Sequence, residues 1–134
     1  MSSTAERLSA VRWFQPRWLV VFAYVALIFT LSSQPGLHVP GEFALRDKLA
    51  HTLEYGGLGL LVYRAARGTW PATPAARRML FAVLAIAALG ALDEKLQSFI
   101  PGRDSTVYDW MADAFGGTLS QVVGLLLDRR RGRA

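Results

Sequence analysis

The chain has 134 residues, of which 52% are hydrophobic and only 19% are charged, and its mean hydropathy is +0.26. This length predicts a single domain over residues 1–134, and the composition excludes a disordered chain. The absence of cysteine excludes a disulfide framework, a cysteine-based zinc site and a thiol nucleophile. The net charge of +5 would suit nucleic acid only if the arginines shared one folded face, and instead they flank apolar segments. We therefore expect a membrane partner and no nucleic acid.

Four apolar runs occupy most of the chain. They cover about residues 18–33, 49–66, 79–97 and 108–127, and the first contains no charged residue. Crossing a bilayer core of about 30 Å takes roughly 20 apolar residues, and glycines such as those in these runs let membrane helices pack closely. We predict an all-α membrane protein, a four-transmembrane-helix bundle preceded by a short interfacial segment at residues 1–17. A soluble helical domain with buried helices is the alternative.

The basic residues are distributed unevenly between the two sides of such a bundle. With the N-terminus inside, the cytoplasmic segments hold eleven arginines and two acids, whereas the outer segments hold four basic residues and eight acids. This bias follows the positive-inside rule. We therefore expect a multi-pass protein of the cytoplasmic membrane with both termini in the cytoplasm. Loops 34–46 and 98–107 would face outward, and the proline-containing segment 67–78 would be a cytoplasmic turn.

Most side chains capable of chemistry fall at the predicted outer end. On the second span, four of them follow i, i+4, i+7 and i+8 spacing and share one helical face. The end of the third span and the start of the fourth carry further polar residues four positions apart. Three helices are therefore expected to bring these groups to one level of the membrane. The candidates are Asp47, Lys48, His51, Glu54, Tyr55, Asp93, Glu94, Gln97, Arg103, Asp109 and Asp113.

Some of these candidates also fit purely structural roles. Asp47 begins a helix, where a carboxylate stabilises the positive end of the helix dipole. Asp109 follows Thr106 with the spacing of a capping box. Arg103 and Asp104 could belong to a solvated turn. These positions alone do not indicate a site.

An inner set of five residues is harder to explain structurally. Asp93 and Glu94 lie near the C-terminal end of an outward-running helix, where the dipole disfavours anions. His51, Glu54 and Asp113 lie one or two turns inside the apolar region, where ionisable groups are costly and usually face a partner or a cavity. We therefore favour a functional role for this inner set.

The candidate residues allow several kinds of chemistry. Lys48, Arg103 and two helix N-termini could hold a phosphate or a carboxylate. The acids and His51 could bind a divalent cation or exchange protons near neutral pH, and a metal-bridged phosphate would use both sets. Internal ion pairing would need no ligand at all. The candidate metal ligands are His51, Glu54, Asp93 and Glu94.

The sequence also resembles a known family. The segments DKLAHTLEYGGLGLL (residues 47–61) and DEKLQSFIPGRDSTVYDWMADAFGGTLSQ (residues 93–121) are similar to the VanZ-like family. These are small bacterial membrane proteins named for an accessory determinant of teicoplanin (glycopeptide) resistance. The resemblance covers about residues 18–127 and implies four spans. Its motif is spread over three of the predicted helices. Its motif positions are Asp47, Lys48, His51, Tyr55, Asp93, Glu94, Gln97, Pro101, Arg103 and Asp109.

One position departs from the pattern of that family. Asp113 stands where the resemblance leads us to expect an asparagine, and it adds a potential charge to the site. A purely structural amide role is therefore in doubt at this position. The resemblance supplies no established reaction, and no acyltransferase motif is present.

Two main functions follow as expectations. The first is a bacterial protein that acts at the outer leaflet on a cell-envelope component, binding or shielding a lipid-linked intermediate, an anionic head group or the glycopeptide target. The second is an intramembrane metal-assisted hydrolase or transferase on the same lipid class. The substrate-binding candidates are Asp47, Lys48, Tyr55, Gln97, Arg103 and Asp109, and the catalytic candidates are His51, Glu54, Asp93, Glu94 and Asp113.

A proton-linked carrier is a weaker third reading. Four short spans make a poor transporter alone, so such a carrier would have to form a homo-oligomer. Whether the chain is an enzyme is left open at this stage.

Overall fold

The computed structural model describes residues 15–35 and 44–132, and these residues form four helices and no strand. The all-α prediction is therefore confirmed for this part of the chain. Nearly all of the predicted interfacial segment, and much of the first outer loop, lie outside the described residues. The helices are α1 (Pro16–Ser32), α2 (Ala44–Thr69), α3 (Ala75–Gln97) and α4 (Val107–Arg130).

Each helix coincides with one predicted apolar run, and local sequence explains where helices begin. Pro16 occupies the first turn of α1, where a missing N–H is tolerated. Thr106 caps α4, since its Oγ1 accepts a hydrogen bond from the Asp109 backbone N–H at 3.2 Å. The Thr106 side chain therefore caps the helix as the predicted spacing implies, while the Asp109 carboxylate accepts from the Thr106 hydroxyl.

Helix α2 is central and contacts each of the other three helices, most extensively α4. A Cβ atom built on Gly116 of α4 would lie 2.1 Å from the carbonyl oxygen of Thr52 in α2. The two backbones are thus so close at this crossing that only glycine fits. This close approach brings the polar faces of α2 and α4 together.

The surface of the bundle differs from that of a typical soluble domain. Large apolar side chains on the outer surface are well exposed, with 58% for Phe22 and 61% each for Leu84 and Phe115. The interior holds an apolar core that includes Ile28 and Leu58, and it also holds acids such as Asp93 and Asp113, which are at most 1% exposed. Soluble monomers rarely present contiguous apolar surfaces of this kind.

One helix of the described residues, α3, is long and apolar enough by composition to count as a candidate membrane span. Helix α1 is apolar but shorter. The charged ends of α2 and α4 lower their average hydropathy, because these helices carry the polar positions of the predicted site. The four-span topology therefore stays a prediction.

Candidate functional site

Three helices meet at His51, which is buried near the start of α2. Its Nδ1 lies 2.8 Å from Asp113 Oδ1 on α4 and 3.9 Å from Glu94 Oε1 on α3. All three residues are at most 7% exposed. One potential ligand atom from each lies within 4.8 Å of the other two. The structure therefore brings three of the five predicted catalytic candidates to within 4.8 Å of one another.

Asp93 extends this cluster toward α1. Its Oδ2 accepts hydrogen bonds from Ser32 Oγ at 2.9 Å and from Gln97 Nε2 at 3.1 Å. Asp93 also interacts electrostatically with Tyr55, whose ring is completely buried. Ser32 was not among the sequence candidates. Its only signal in the sequence was its position at the outer end of the first apolar run.

Several oxygens of the cluster are buried without a hydrogen-bond partner among the described residues. Two of them, Asp113 Oδ2 and Glu94 Oε1, belong to the residues nearest to His51, whereas the Tyr55 hydroxyl and Asp93 interact with each other. The second Glu94 oxygen, Oε2, accepts from Ser105 Oγ at 2.9 Å. A buried carboxylate oxygen without a donor is destabilising, and such groups ordinarily meet a proton, a water or a cation. The cluster therefore has unused capacity for a positively charged group.

Glu54 and Arg103 lie at the edge of this cluster, and both are partly buried. Glu54 interacts electrostatically with His51, Asp93 and Arg103. Arg103 belongs to the turn between α3 and α4, so its position depends on the loop rather than on a helix face. The predicted turn thus brings a guanidinium group near the inner acids.

Lys48 and Asp109 form an ion pair at 2.7 Å between α2 and α4. Asp109 is 2% exposed, and its Oδ2 also accepts a hydrogen bond from Thr106 Oγ1 at 2.5 Å. This arrangement gives Asp109 the structural role that the capping spacing predicted. It also occupies the Lys48 ammonium group, which the sequence had offered to an anionic ligand. Asp47 lies one turn before His51, and one ligand atom from each of Asp47, His51 and Asp109 could form a second triad.

The balance of charges indicates what the site can bind. Four inner acids, Glu54, Asp93, Glu94 and Asp113, lie near one histidine and one arginine, Arg103, and Lys48 is already paired. Carboxylate oxygens with an imidazole suit a divalent metal ion better than a free anion. An anionic group would be held most readily through such a cation.

A cavity of about 400 Å³ adjoins the cluster where α3 ends and α4 begins. Its wall includes Glu94, Ser105 and Trp110. The indole Nε1 of Trp110 donates to the Ala87 carbonyl at 2.9 Å, which fixes this ring across the two helices. Glu94 is therefore the member of the His51, Glu94 and Asp113 cluster that lines this cavity.

Comparison with known proteins identifies the family. No curated protein and no solved structure matches the chain. A family model described as VanZ/LLP1 matches residues 4–128, which include all four helices except the last two residues of α4. The match also contains both segments that resemble the VanZ-like family, so that resemblance is confirmed. This chain belongs to the VanZ/LLP1 family.

Proposed function

We propose that this chain is a four-span protein of the bacterial cytoplasmic membrane whose outer polar site binds a divalent cation. Through that cation it binds the phosphate of a lipid-linked cell-envelope intermediate. A contribution to glycopeptide resistance would follow from holding or shielding such an intermediate at the outer leaflet. Both termini lie in the cytoplasm in this proposal.

The membrane placement is supported by the surface of the bundle. Large apolar side chains are exposed on every helix, including Phe22, Leu53, Leu84 and Phe115. Helix α2 has 26 residues and α3 has 23, which correspond to about 39 Å and 35 Å of helix and exceed a bilayer core of about 30 Å. Burying these surfaces in lipid removes the unfavourable contact with water.

The observation that carries the binding proposal is the set of unpaired oxygens around His51. Asp113 Oδ2 and Glu94 Oε1 are buried and lack donors among the described residues, although each belongs to a residue within 4 Å of the same imidazole. A cation at this position would satisfy both oxygens and offset the charge of the inner acids. Internal pairing alone would leave them unsatisfied.

The proposal of a phosphate ligand rests on the bound cation and on the guanidinium group of Arg103. A divalent cation held by two or three protein ligands keeps open positions, and phosphate oxygens are strong ligands for such ions. Arg103 adds a guanidinium group near Glu54, which can bind a phosphate through two hydrogen bonds. Lipid phosphates and pyrophosphates present this chemistry at the membrane surface, within reach of the outer turn.

The test uses the full chain purified in detergent, with Mn²⁺ as the probe and electron paramagnetic resonance as the measurement. We expect one bound ion per chain, and a loss of affinity of about tenfold or more in Asp113→Asn. The control is Asp104→Asn, which removes an exposed acid of the same turn region and should bind like the wild type. A polyprenyl pyrophosphate should bind only with the ion present, whereas the matching polyprenol should not bind.

Two results would count against this proposal. If the wild type binds no ion, protonation or hydrogen bonds among the carboxyl groups stabilise the buried acids instead. If Asp104→Asn weakens binding as much as Asp113→Asn does, the effect is general surface charge.

A second candidate function is an intramembrane hydrolase or transferase on the same lipid class. It is favoured by the buried His51 and Asp113 pair, which is the arrangement of a general base and the carboxylate that orients it. Release of phosphate from the polyprenyl pyrophosphate, lost in His51→Gln, would support this reading. Binding without turnover would support the first.

A further inference from the structure

A second polar region lies at the opposite end of the bundle from His51. It is a cavity of about 680 Å³ between the C-terminal halves of α2 and α4, the loop after α2 and the start of α1. On α4, Asp113 and Asp128 are 15 residues apart, which corresponds to about 22 Å of helix. The cavity is therefore separate from the outer site. Five arginines and one acid line it: Arg17, Arg64, Arg67, Arg78, Arg131 and Asp128.

The single acid of the cavity wall is already engaged. Asp128 Oδ2 accepts hydrogen bonds from Tyr63 Oη at 2.8 Å and from Arg67 Nε at 3.0 Å. Asp128 is 7% exposed, so this contact lies inside the wall. One of the five guanidinium charges is thereby balanced, and the cavity keeps an excess of positive charge.

Arg78 and Arg17 shape the cavity. Arg78 Nη1 donates to the carbonyl oxygens of Trp70, Pro71 and Thr73, and so holds the loop after α2. Arg17 crosses α2 at Gly68, where a Cβ would lie 1.9 Å from its guanidinium Nη1. Gly68 therefore leaves the space that lets Arg17 reach the cavity.

Arg64 and Arg131 are exposed at the cavity and form no ion pair with the residues that the structure describes. Arg64 lies on α2 and Arg131 directly follows α4, so two separate segments supply them. Guanidinium groups from two segments can each bind a phosphate oxygen. The cavity thus offers donors without a matching internal acceptor.

The edge of the cavity is apolar. Leu60 and Leu127 line it and are 37% and 43% exposed, so their surface continues onto the outside of the bundle. Trp70 lies at the same end and is partly exposed, and an indole ring in such a position favours the membrane interface. A free phosphate would use the arginines alone. A phospholipid would use both the arginines and the apolar edge.

We propose that this cavity binds the phosphodiester head group of an anionic phospholipid of the cytoplasmic leaflet. Basic cavities between membrane helices at this surface are suited to anionic lipids. The proposal rests on the membrane placement given above but uses no residue of the outer site. Loss of cation binding at His51 would therefore leave it unaffected.

The experiment places the full chain in phosphatidylcholine nanodiscs and adds phosphatidylglycerol, with bound lipids counted by native mass spectrometry. We expect a preference for phosphatidylglycerol that falls about thirtyfold in the double variant Arg64→Gln and Arg131→Gln. The control is Arg77→Gln with Arg130→Gln, which removes two exposed arginines of the same end that do not line the cavity. It should bind like the wild type.

Further variants guard against a folding defect. Arg64→Lys with Arg131→Lys keeps both charges and should retain most of the preference. Excess inorganic phosphate should not displace the lipid. The proposal is overturned if the control loses binding equally, if inorganic phosphate competes at the same concentration as the lipid, or if the wild type does not distinguish the two lipids.

Discussion

His51 Nδ1 lies 2.8 Å from Asp113 Oδ1 in a contact that joins α2 to α4 inside the bundle. A carboxylate only accepts hydrogen bonds, so Nδ1 carries the proton in this pair and Nε2 is left for another partner. The same contact therefore contributes to stability and sets the chemistry of the site. Variants at Asp113 can separate the two contributions, because an amide keeps the acceptor and removes the charge.

We expect Asp113→Asn to lower the free energy of unfolding by less than about 1 kcal/mol, because its side-chain oxygen still accepts from His51. Asp113→Leu removes the acceptor and leaves a buried N–H group unsatisfied, so it should cost about 2 kcal/mol or more. Chemical unfolding in detergent, followed by circular dichroism, measures both. Equal losses in the two variants would show that the charge, and not the acceptor, holds the helices together.

Arg103 gives a second test that separates binding from folding. Arg103→Ala removes a charge-assisted donor from a turn, so lipid pyrophosphate binding should fall about tenfold or more. The free energy of unfolding should change by less than about 0.5 kcal/mol, because the residue lies outside the packed helices. Lipid binding can be measured by microscale thermophoresis in the presence of Mn²⁺.

Arg46→Ala is the matched control for Arg103. Arg46 is an exposed arginine in the first turn of α2 at the same end of the bundle, and it does not line the cavity beside Glu94. It should leave binding nearly unchanged. If Arg103→Ala binds the lipid pyrophosphate like the wild type, the guanidinium group has only a structural role in the turn.

Periodicity predicted much of the fold and of the site. The apolar run at residues 49–66 located α2, and i, i+4 spacing correctly gave His51 and Asp47 a common face. Helix α2 begins earlier, at Ala44, because charged residues of its first turn reach the surface while the backbone stays helical. A search for uncharged runs therefore shortens such a helix at its polar end.

Side-chain contacts between residues on different helices could not be predicted from the sequence. Spacing placed Lys48 and Asp109 at the same end, but only the packing of α2 against α4 shows that they pair with each other. Ser32 was missed for the same reason, since its contact with Asp93 depends on how α1 packs against α3. From the sequence, Arg64 indicated only the orientation in the membrane, whereas the structure shows that it lines a cavity.

Glycine packing yields a third prediction. The sequence pointed to Gly56, where Gly56→Leu is expected to push the helices apart and lower expression. A Cβ at Gly56 meets its nearest atom, the Gly116 carbonyl oxygen, at 3.6 Å, whereas a Cβ at Gly116 would lie 2.1 Å from a Thr52 oxygen. Gly116→Ala should therefore cost about 1–3 kcal/mol of unfolding free energy by overpacking.

Gly56→Ala is the matched control, since it adds the same methyl group to the facing helix. Contact at 3.6 Å is ordinary, and alanine favours a helix more than glycine does, so this variant should be neutral or slightly stabilising. Thermal unfolding of the two purified variants compares them directly. If Gly116→Ala is as stable as Gly56→Ala, the helices are free to move apart at this crossing.

The orientation in the membrane can be tested with single cysteines, because the chain contains none. Asp104 in the turn between α3 and α4 and Ala72 in the turn between α2 and α3 are both exposed. With both termini in the cytoplasm, a membrane-impermeant maleimide should label Asp104→Cys in intact spheroplasts. It should label Ala72→Cys only after lysis, because the arginine-rich segments remain inside.

Labelling after lysis serves as the control, since both cysteines should then react fully. A reporter fused at residue 133 should likewise be active only in the cytoplasm. If Ala72→Cys reacts in intact spheroplasts and Asp104→Cys does not, the bundle is inverted. The acids around His51 would then open to the cytoplasm, and the arginine-lined cavity would lie at the outer leaflet. Binding of an outer-leaflet intermediate at His51 would be excluded, even if the cation affinity itself were confirmed.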